Sequence, residues 1–224
     1  QINASNDLDE NLSTLGPMIR KARDMGADFI TTPECAAMVE VGRKNIRAKS
    51  FLENEHPALA AFQNWAQETG AWLLAGSLSV LLEGEERLAN RQYLIDPTGK
   101  ITAKYDKIHM FDVELPDGKS LRESKNYRPG SQAILARLPW CQLGLSICYD
   151  LRFPHFYRDL AKCGAEVLVI PSAFMQITGE AHWHVLMRAR AIETGCFIIA
   201  AAQCGKHVAG RLSYGHSVII APWG

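Results

Sequence analysis

Residues 160–172 read LAKCGAEVLVIPS, and the same order of helix-like segment, glycine and apolar run recurs three times in the chain. The other copies are ARDMGADFITTPE at 22–34, WAQETGAWLLAGS at 65–77 and AIETGCFIIAAAQ at 191–203. Their glycines, Gly26, Gly70, Gly164 and Gly195, stand where a helix C-terminus favours a left-handed residue. The nearly continuous apolar runs are typical of strands covered on both faces. This alternation predicts an α/β protein whose sheet is at least partly parallel.

The composition is that of an ordinary globular chain. It has 224 residues, of which 47% are hydrophobic and 21% charged, and its formal net charge is zero. We expect one domain over residues 1–224, because this length suits one large domain better than two small ones. A zero net charge offers no basic field to nucleic acid or an anionic membrane, and no apolar stretch has the length of a membrane span. We therefore expect neither nucleic acid nor a membrane as a partner.

The six cysteines contain no CxxC pair and do not outline a disulfide-dense scaffold; they are Cys35, Cys141, Cys148, Cys163, Cys196 and Cys204. This usage predicts reduced thiols and a cytoplasmic location. A metal site is not expected, because His182 and His184 are two residues apart and on a helix would point to different faces.

Polar residues follow several of the apolar runs. Glu34, Ser172 and Gln203 lie eight residues after their glycines, and Cys148 ends the run CQLGLSIC before YDLRFP. The carboxyl ends of strands are where α/β proteins build sites. The simpler alternative is that strands end in polar loops and that Cys148 is a small buried hydrophobe. Residues 112–132 form the longest irregular stretch, and we expect them to be a lid or a site wall, or else a mobile loop.

A cysteine nucleophile needs a base, and the chain offers two kinds. The candidate histidines are His109, His182, His184, His207 and His216, although none stands in a context that specifies a thiol protease. The second kind is a glutamate whose pKa is raised by burial, so that it can accept the thiol proton. A lysine beside it would stabilise the oxyanion of a tetrahedral intermediate.

Three segments resemble the signature segments of the nitrilase superfamily, the carbon–nitrogen hydrolases. They are TTPECA at 31–36, KYDKIHMFDVELP at 104–116 and GLSICYDLRFP at 144–154. The segments VIPSAF, TGEAHWHVLMRARAIE and AAAQCGKH resemble the branch of amidases that acts on deaminated glutathione. Together with NRQYLIDPTGKI, ESKNYRPG and RLSYGHS, these motifs extend over nearly the whole chain.

The resemblance implies a role for each matching residue. Glu34 would be the general base, Lys107 the cation that stabilises the oxyanion, and Cys148 the nucleophile. Glu123 would bond the lysine and position the substrate, and the N–H of Tyr149 would complete the oxyanion hole. Arg152 is a candidate contact for a substrate carboxylate, or else an arginine that bridges acidic side chains. Phe174 and Met175 are candidate substrate contacts in the specificity loop.

The resemblance also implies a four-layer α-β-β-α sandwich, a homodimer or higher homo-oligomer, and hydrolysis of a small-molecule linear amide through a thioester without any cofactor. The expected substrate is deaminated glutathione, with release of 2-oxoglutarate. The alternatives are an ω-amidase for 2-oxoglutaramate, a nitrilase or carbamoylase, and a non-catalytic scaffold of the same fold.

Two positions depart from the family pattern, and so does the end of the sequence. His155 stands where the family usually has a glutamate, and Met175 where many relatives have threonine or glycine. These changes concern the surroundings of the site and its specificity rather than the catalytic residues. Relatives usually continue beyond PWG into another strand and a tail, so we expect further residues after Gly224.

Overall fold

The structure, a computed structural model that describes residues 1–114, 118 and 120–224, contains two β-sheets that lie between pairs of helices. The helices are α1 (Leu8–Asp24), α2 (Arg43–Ala48), α3 (Pro57–Thr69), α4 (Pro154–Lys162) and α5 (Gln176–Thr194). The strands are β1 (Phe29–Thr31), β2 (Phe51–Leu52), β3 (Trp72–Leu81), β4 (Ala89–Ile95), β5 (Ile101–Asp106), β6 (Asp112–Glu114), β7 (Ser120–Arg122), β8 (Leu135–Arg137), β9 (Gln142–Leu145), β10 (Val167–Val169), β11 (Phe197–Ala200), β12 (Cys204–Lys206), β13 (Leu212–Tyr214) and β14 (Val218–Ile220).

The first sheet has the order β1-β3-β4-β5, with β2 also paired to β3. Strands β1 and β2 run parallel to β3, whereas β3, β4 and β5 are antiparallel neighbours. The turn DPTG at 96–99 joins β4 to β5 in a hairpin, with Gly99 at φ 81°. The second sheet has the order β14-β11-β10-β9-β8. Its three central strands are parallel to one another, which confirms the partly parallel sheet.

The two sheets pack face to face and share a hydrophobic core. Leu74 and Leu94 of the first sheet belong to the same buried cluster as Leu145 and Val169 of the second. Gln92 crosses between the sheets, donating from Nε2 to the main-chain oxygen of Ser146 at 3.2 Å. The opposite face of the first sheet packs on α1 and α3, and that of the second packs on α4 and α5. The expected α-β-β-α sandwich is therefore confirmed.

The four recurring glycines have the conformation that the sequence predicts. Gly26, Gly70, Gly164 and Gly195 have φ values of 95°, 65°, 100° and 69°. In each case the glycine ends a helix that is followed within a few residues by a strand of the two sheets. Positive φ costs an L-residue with a side chain roughly 1 kcal/mol or more, so glycine suits these helix ends.

The stretch 112–132 is more regular than expected. Its described part forms the antiparallel pair β6–β7 and a 3₁₀ turn at Glu123–Lys125. Residues 115–117 and 119 of this predicted lid or wall lie outside the described residues. A second small hairpin, β12–β13, lies between β11 and β14 of the second sheet, and its residues line the same cavity as those of the 112–132 stretch.

Candidate active site

Glu34 lies three residues after β1, in a loop that both sheets support. The N–H of Thr32 continues the β1–β3 ladder by donating to Leu74 O at 3.1 Å. The carbonyl of Glu34 accepts from Gln203 Nε2 at 3.1 Å, which ties the loop to the end of β11. Its carboxylate is buried and accepts from the N–H of Ala173 through Oε2 at 2.9 Å. The side chain is therefore held at the boundary between the sheets.

Lys107 follows directly after β5, and its main chain is bonded to Asn90 O and to the N–H of Gly130. Its side chain is 2% exposed. Nζ donates to Glu34 Oε1 at 2.9 Å and to the two carboxylate oxygens of Glu123 at 3.0 and 2.9 Å. An ammonium group has three donors, and here all of them are directed at two carboxylates.

Cys148 begins the 3₁₀ turn Cys148–Arg152, three residues beyond Leu145, the last paired residue of β9. Its φ is 47°, a left-handed conformation that is unfavourable for a residue with a side chain. Its N–H donates to Pro171 O at 3.0 Å. Asp150 braces the turn, because its buried carboxylate accepts from the N–H of Ile147 at 2.8 Å and from Tyr105 Oη at 2.7 Å. The strained backbone is thus fixed from both sides of Cys148.

The three side chains perturb one another electrostatically. Burial alone would lower the pKa of Lys107, but the negative charges of Glu123 and Glu34 raise it well above its ordinary value. Burial alone would raise the pKa of Glu34, but the adjacent ammonium of Lys107 brings it below its ordinary value. Burial, with a further contribution from the charge of Glu34, raises the pKa of the Cys148 thiol well above its ordinary value.

The resting site therefore holds a neutral thiol beside an ionised glutamate. A base with a raised pKa is expected from burial alone, but the net pKa shift of Glu34 is downward. The buried ammonium of Lys107 outweighs the desolvation of the carboxylate. A carboxylate that is already deprotonated can accept the thiol proton. The site is arranged for proton transfer from Cys148 to Glu34 rather than for a preformed thiolate.

Among the described residues, the N–H of Tyr149 in the Cys148–Arg152 turn has no hydrogen-bond acceptor. The first hydrogen bond of this turn is donated by Asp150 N to Ile147 O at 3.1 Å, so the preceding N–H of Tyr149 is not used by the turn. The ring of Tyr149 packs edge-on against Phe111 and Phe153, with centroid distances of 5.1 and 5.7 Å.

Glu34, Lys107, Glu123, Cys148 and Tyr149 all line one cavity of about 720 Å³. Phe174 and Met175 line it too, as the sequence analysis anticipates for substrate contacts. Phe174 is fixed by an edge-on contact with the buried ring of Trp183, with centroids 5.3 Å apart. The part of the stretch 112–132 that is described contributes Leu121, Arg122, Glu123, Asn126 and Tyr127 to the wall.

Arg152 does not lie in the wall of this cavity. Its Nη2 contacts His182 Nδ1 at 3.1 Å, and its guanidinium lies 5.5 Å from the ring centroid of Phe174 and 5.9 Å from that of Tyr149. The structure supports neither expected role of Arg152, because its side chain is not part of the cavity wall and makes no ion pair with an acidic side chain among the described residues.

Two residues of the site carry no role in the sequence analysis. Asn90 donates from Nδ2 to Glu34 Oε1 at 3.0 Å and to Glu123 Oε1 at 3.3 Å, so it links the two carboxylates. Asn90 is followed by Arg91 and Gln92 in β4, so the sequence does not single it out. Arg211 lines the cavity and donates to Ala173 O at 2.7 Å. It begins the motif segment RLSYGHS, which carried no residue role, and only the fold of the β12–β13 hairpin brings it to the site.

The alternative chemistries find no support in the described residues. No histidine lines the cavity, and His109 is engaged by Asp150 at 2.7 Å through Nδ1. Across the described parts of the chain, no group of three or more His, Cys, Asp or Glu side chains is arranged to hold a metal ion.

None of the described helices combines the length and apolarity needed to cross a membrane.

Comparison of the sequence with known proteins matches the chain to one family. The sequence profile of the family described as carbon-nitrogen hydrolase matches residues 1–224. The chain is 38% identical over 230 residues to a deaminated glutathione amidase of Dictyostelium discoideum, covering 100% of this chain and 79% of that protein. It is 37% identical over 235 residues to a deaminated glutathione amidase of Homo sapiens, covering 100% of this chain and 69% of that protein.

Solved structures show the same similarity. The C. elegans NitFhit protein matches with a TM-score of 0.92 and 36% identity over 100% of this chain. This chain spans only 55% of that protein's chain. An amidase from Nesterenkonia sp. AN1 matches with a TM-score of 0.85 and 27% identity, covering 100% of this chain and 83% of that one. In that mutant amidase, acrylamide has added to the active-site cysteine.

Proposed function

Because the chain belongs to the carbon–nitrogen hydrolase family, we propose that it hydrolyses the amide bond of a small linear ω-amide through a thioester on Cys148. The observation that carries this proposal is the ammonium of Lys107 held between Glu34 and Glu123 beside the buried thiol. Burying three charges is costly unless they are paired, and a scaffold would gain nothing from placing them in a cavity. The arrangement has the composition that acyl transfer requires.

The first half of the reaction forms the thioester. The thiol proton of Cys148 passes to the carboxylate of Glu34 while the sulfur attacks the amide carbonyl. The tetrahedral intermediate collapses as Glu34 returns this proton to the departing amine, which breaks the C–N bond. In the second half, Glu34 removes a proton from water, the resulting hydroxide attacks the thioester, and the acid and the Cys148 thiol are released.

Stabilisation of the oxyanion follows from the same proton transfer. In the resting site every donor of Lys107 is directed at a carboxylate. Protonation of Glu34 removes its negative charge and weakens its hold on Nζ, so one N–H of Lys107 becomes available to the oxyanion. The free N–H of Tyr149 supplies the second donor. Glu123 keeps the ammonium in place during this exchange.

Deaminated glutathione is the proposed substrate. The support is the similarity to proteins named deaminated glutathione amidase and the motif segments that line or approach the site. Its acyl part is the 4-carboxy-4-oxobutanoyl group, which is released as 2-oxoglutarate, and its leaving group is a dipeptide. A cavity of about 720 Å³ is large enough for both parts. An ω-amidase for 2-oxoglutaramate is the second candidate, since it would use the same acyl group with ammonia as leaving group.

Substitution of the nucleophile tests the mechanism. We expect Cys148→Ala to abolish hydrolysis of deaminated glutathione, followed as release of 2-oxoglutarate, without loss of the folded state as measured by circular dichroism. The exposed thiol of Cys163 is the matched control, and Cys163→Ala should retain full activity. Turnover by Cys148→Ala close to that of the unmodified protein would eliminate the thioester mechanism. A parallel assay of 2-oxoglutaramate and simple nitriles ranks the substrates.

We also propose that the chain forms a homodimer. Exposed apolar side chains on α5 and β14 support this, namely Val185, Ile192 and Ile219, which are 67%, 58% and 73% exposed. Light scattering coupled to size exclusion tests it, and a mass of one chain at micromolar concentration would contradict it. A cytoplasmic location is proposed because all six cysteines are unpaired, and cell fractionation tests it.

A further inference from the structure

Arg211 has an unusual environment for a cation in a cavity wall. It follows the 3₁₀ turn Val208–Gly210 in the β12–β13 connection, where Ala209 has φ 55°. One terminal nitrogen, Nη2, donates to Ala173 O at 2.7 Å. Its Nε is buried and has no hydrogen-bond partner among the described residues. A buried donor without a partner is costly, so an arginine held in this way suggests a ligand that accepts from it.

The other cations of the cavity wall are already paired. Lys107 is bonded to Glu34 and Glu123. Arg122 is paired with Glu114 and donates to the main-chain oxygens of Val113 and Leu121. Among the described residues, Arg211 makes no ion pair with a carboxylate. A guanidinium stays charged at any physiological pH and presents a planar set of donors that matches a carboxylate.

One residue, Ala173, connects Arg211 to the carboxylate of Glu34. Ala173 donates its N–H to Glu34 Oε2 at 2.9 Å, and its carbonyl accepts from Arg211 at 2.7 Å. The N and O atoms of one residue are about 3 Å apart, so the guanidinium lies within about 9 Å of the base. In an extended 2-oxoglutaramate group the carboxylate carbon lies on the order of 5 Å from the amide carbonyl carbon. One substrate can therefore span both points.

We propose that Arg211 binds a carboxylate of the substrate and thereby selects amides that carry one. This inference rests on the proposed function, since it assigns the specificity of the same cavity. The carboxylate accepts from Nε and from a terminal nitrogen in the bidentate manner typical of arginine. Arg211 takes the role first expected of Arg152, whose guanidinium lies near the rings of Tyr149 and Phe174 and is not part of the cavity wall.

Two substitutions test the proposal by substrate discrimination. The charged substrate is 2-oxoglutaramate, and the uncharged one is a straight-chain primary amide of the same length. We expect Arg211→Leu to lower kcat/KM for the charged substrate by about 100-fold and for the uncharged amide by less than about threefold. Arg211→Lys should recover part of the loss for the charged substrate only. An equal loss on both substrates would show a structural role through Ala173 and overturn the proposal.

Arg152→Leu is the competing variant in the same assay. It should leave the ratio of the two kcat/KM values unchanged, because its side chain is outside the cavity wall. If Arg152→Leu removes the discrimination and Arg211→Leu keeps it, the proposal is wrong. Thermal unfolding of each variant shows whether the folded state is retained.

A binding measurement separates this proposal from the proposed function. In the Cys148→Ala background, calorimetry with 2-oxoglutarate and with the dipeptide cysteinylglycine asks which carboxylate binds. We expect Arg211→Leu to weaken 2-oxoglutarate binding by about 100-fold and to leave dipeptide binding unchanged, because the carboxylate of the acyl part is the one within reach. A loss confined to the dipeptide would overturn the proposal. Binding of neither ligand, or equal binding with and without Arg211, would overturn the proposal. Arg211-dependent binding in a protein that hydrolyses no amide would refute the proposed function alone.

Discussion

At the level of single residues, the site balances the buried carboxylate of Glu34 and the partly buried carboxylate of Glu123 against one buried ammonium. Glu34 and Glu123 both bond Lys107, and Asn90 links the two carboxylates from a third direction. The ammonium lowers the pKa of Glu34, since its charge outweighs the desolvation of that carboxylate. The reactivity of Cys148 therefore depends on Lys107 as much as on its own thiol.

Removal of the ammonium tests this dependence. Lys107→Met leaves two carboxylates buried without compensation, so we expect the free energy of unfolding to fall by about 3–5 kcal/mol in urea titrations. The double variant Lys107→Met, Glu123→Gln should recover part of the loss, because one of the uncompensated charges is gone. Hydrolysis should fall by at least about 100-fold in both variants.

Lys104 lies on β5, three residues before Lys107, and provides the matched control. Its side chain is 45% exposed and pairs with Glu53 at the surface. Lys104→Met should change the free energy of unfolding by less than about 1 kcal/mol and leave hydrolysis intact. Equal free energies of unfolding for Lys107→Met and Lys104→Met would contradict the stabilising role of the Lys107 ammonium between the two carboxylates.

At the scale of elements, an irregularity in β3 supports the loop that carries Glu34. The pairing of β3 with β4 shifts register between Ala75 and Leu78. Within that interval Gly76 donates to Thr32 Oγ1 at 3.1 Å, and Ser77 Oγ accepts from the N–H of Cys35 at 3.0 Å. The bulge thus lets Gly76 and Ser77 bond the Glu34 loop at Thr32 and Cys35, before and after Glu34.

Gly76→Ala tests this support. A Cβ at Gly76 would lie 1.9 Å from Thr32 O and 2.4 Å from Pro33 O, so the main chain of the Glu34 loop must move. We expect a loss of roughly 3 kcal/mol or more in unfolding free energy and a loss of hydrolysis in the protein that remains folded. In the control Gly16→Ala the nearest atoms belong to the Trp65 side chain at 3.1 Å. That helical position should change stability by less than about 1.5 kcal/mol and spare activity. Equal effects of the two substitutions would contradict the assigned role of the bulge.

At the scale of the whole molecule, the site exists only where the two halves of the sandwich meet. Glu34 and Lys107 follow strands of the first sheet, whereas Cys148 and Ala173 follow strands of the second. Their contacts therefore depend on the packing between sheets that Gln92 and the shared core maintain. We expect global destabilisation to remove activity before the individual sheets lose their secondary structure.

A buried histidine makes the stability of the molecule dependent on pH. Burial lowers the pKa of His56 from 6.5 to about 4. Below pH 6.5 the unfolded chain binds a proton at this residue that the folded protein does not bind until about pH 4. Stability is therefore complete above pH 6.5 and is lost as pH falls toward 4, by roughly 3 kcal/mol in total from this group.

Unfolding in urea at a series of pH values between 7 and 4 measures this loss. We expect His56→Gln to flatten the slope, and the exposed control His184→Gln to leave it unchanged. A residual slope from His207 remains in the His56 variant, because burial lowers the pKa of that residue too. An identical slope in His56→Gln and the unmodified protein would show that His56 does not titrate in this window.

The α/β alternation and the glycine-ended helices could be predicted from the sequence, because they depend on local periodicity and backbone conformation. The candidate residues Glu34, Lys107, Glu123 and Cys148 came from the family resemblance of their segments, and the structure places all four around one cavity. The direction of the Glu34 pKa shift required the tertiary structure, since Lys107 is 73 residues away along the chain. The same is true of Arg211, which lines the cavity because the β12–β13 hairpin brings it there, whereas Arg152 is not part of the wall. Charge pairing and side-chain direction depend on contacts between segments remote in sequence, and the packing of the two sheets creates those contacts.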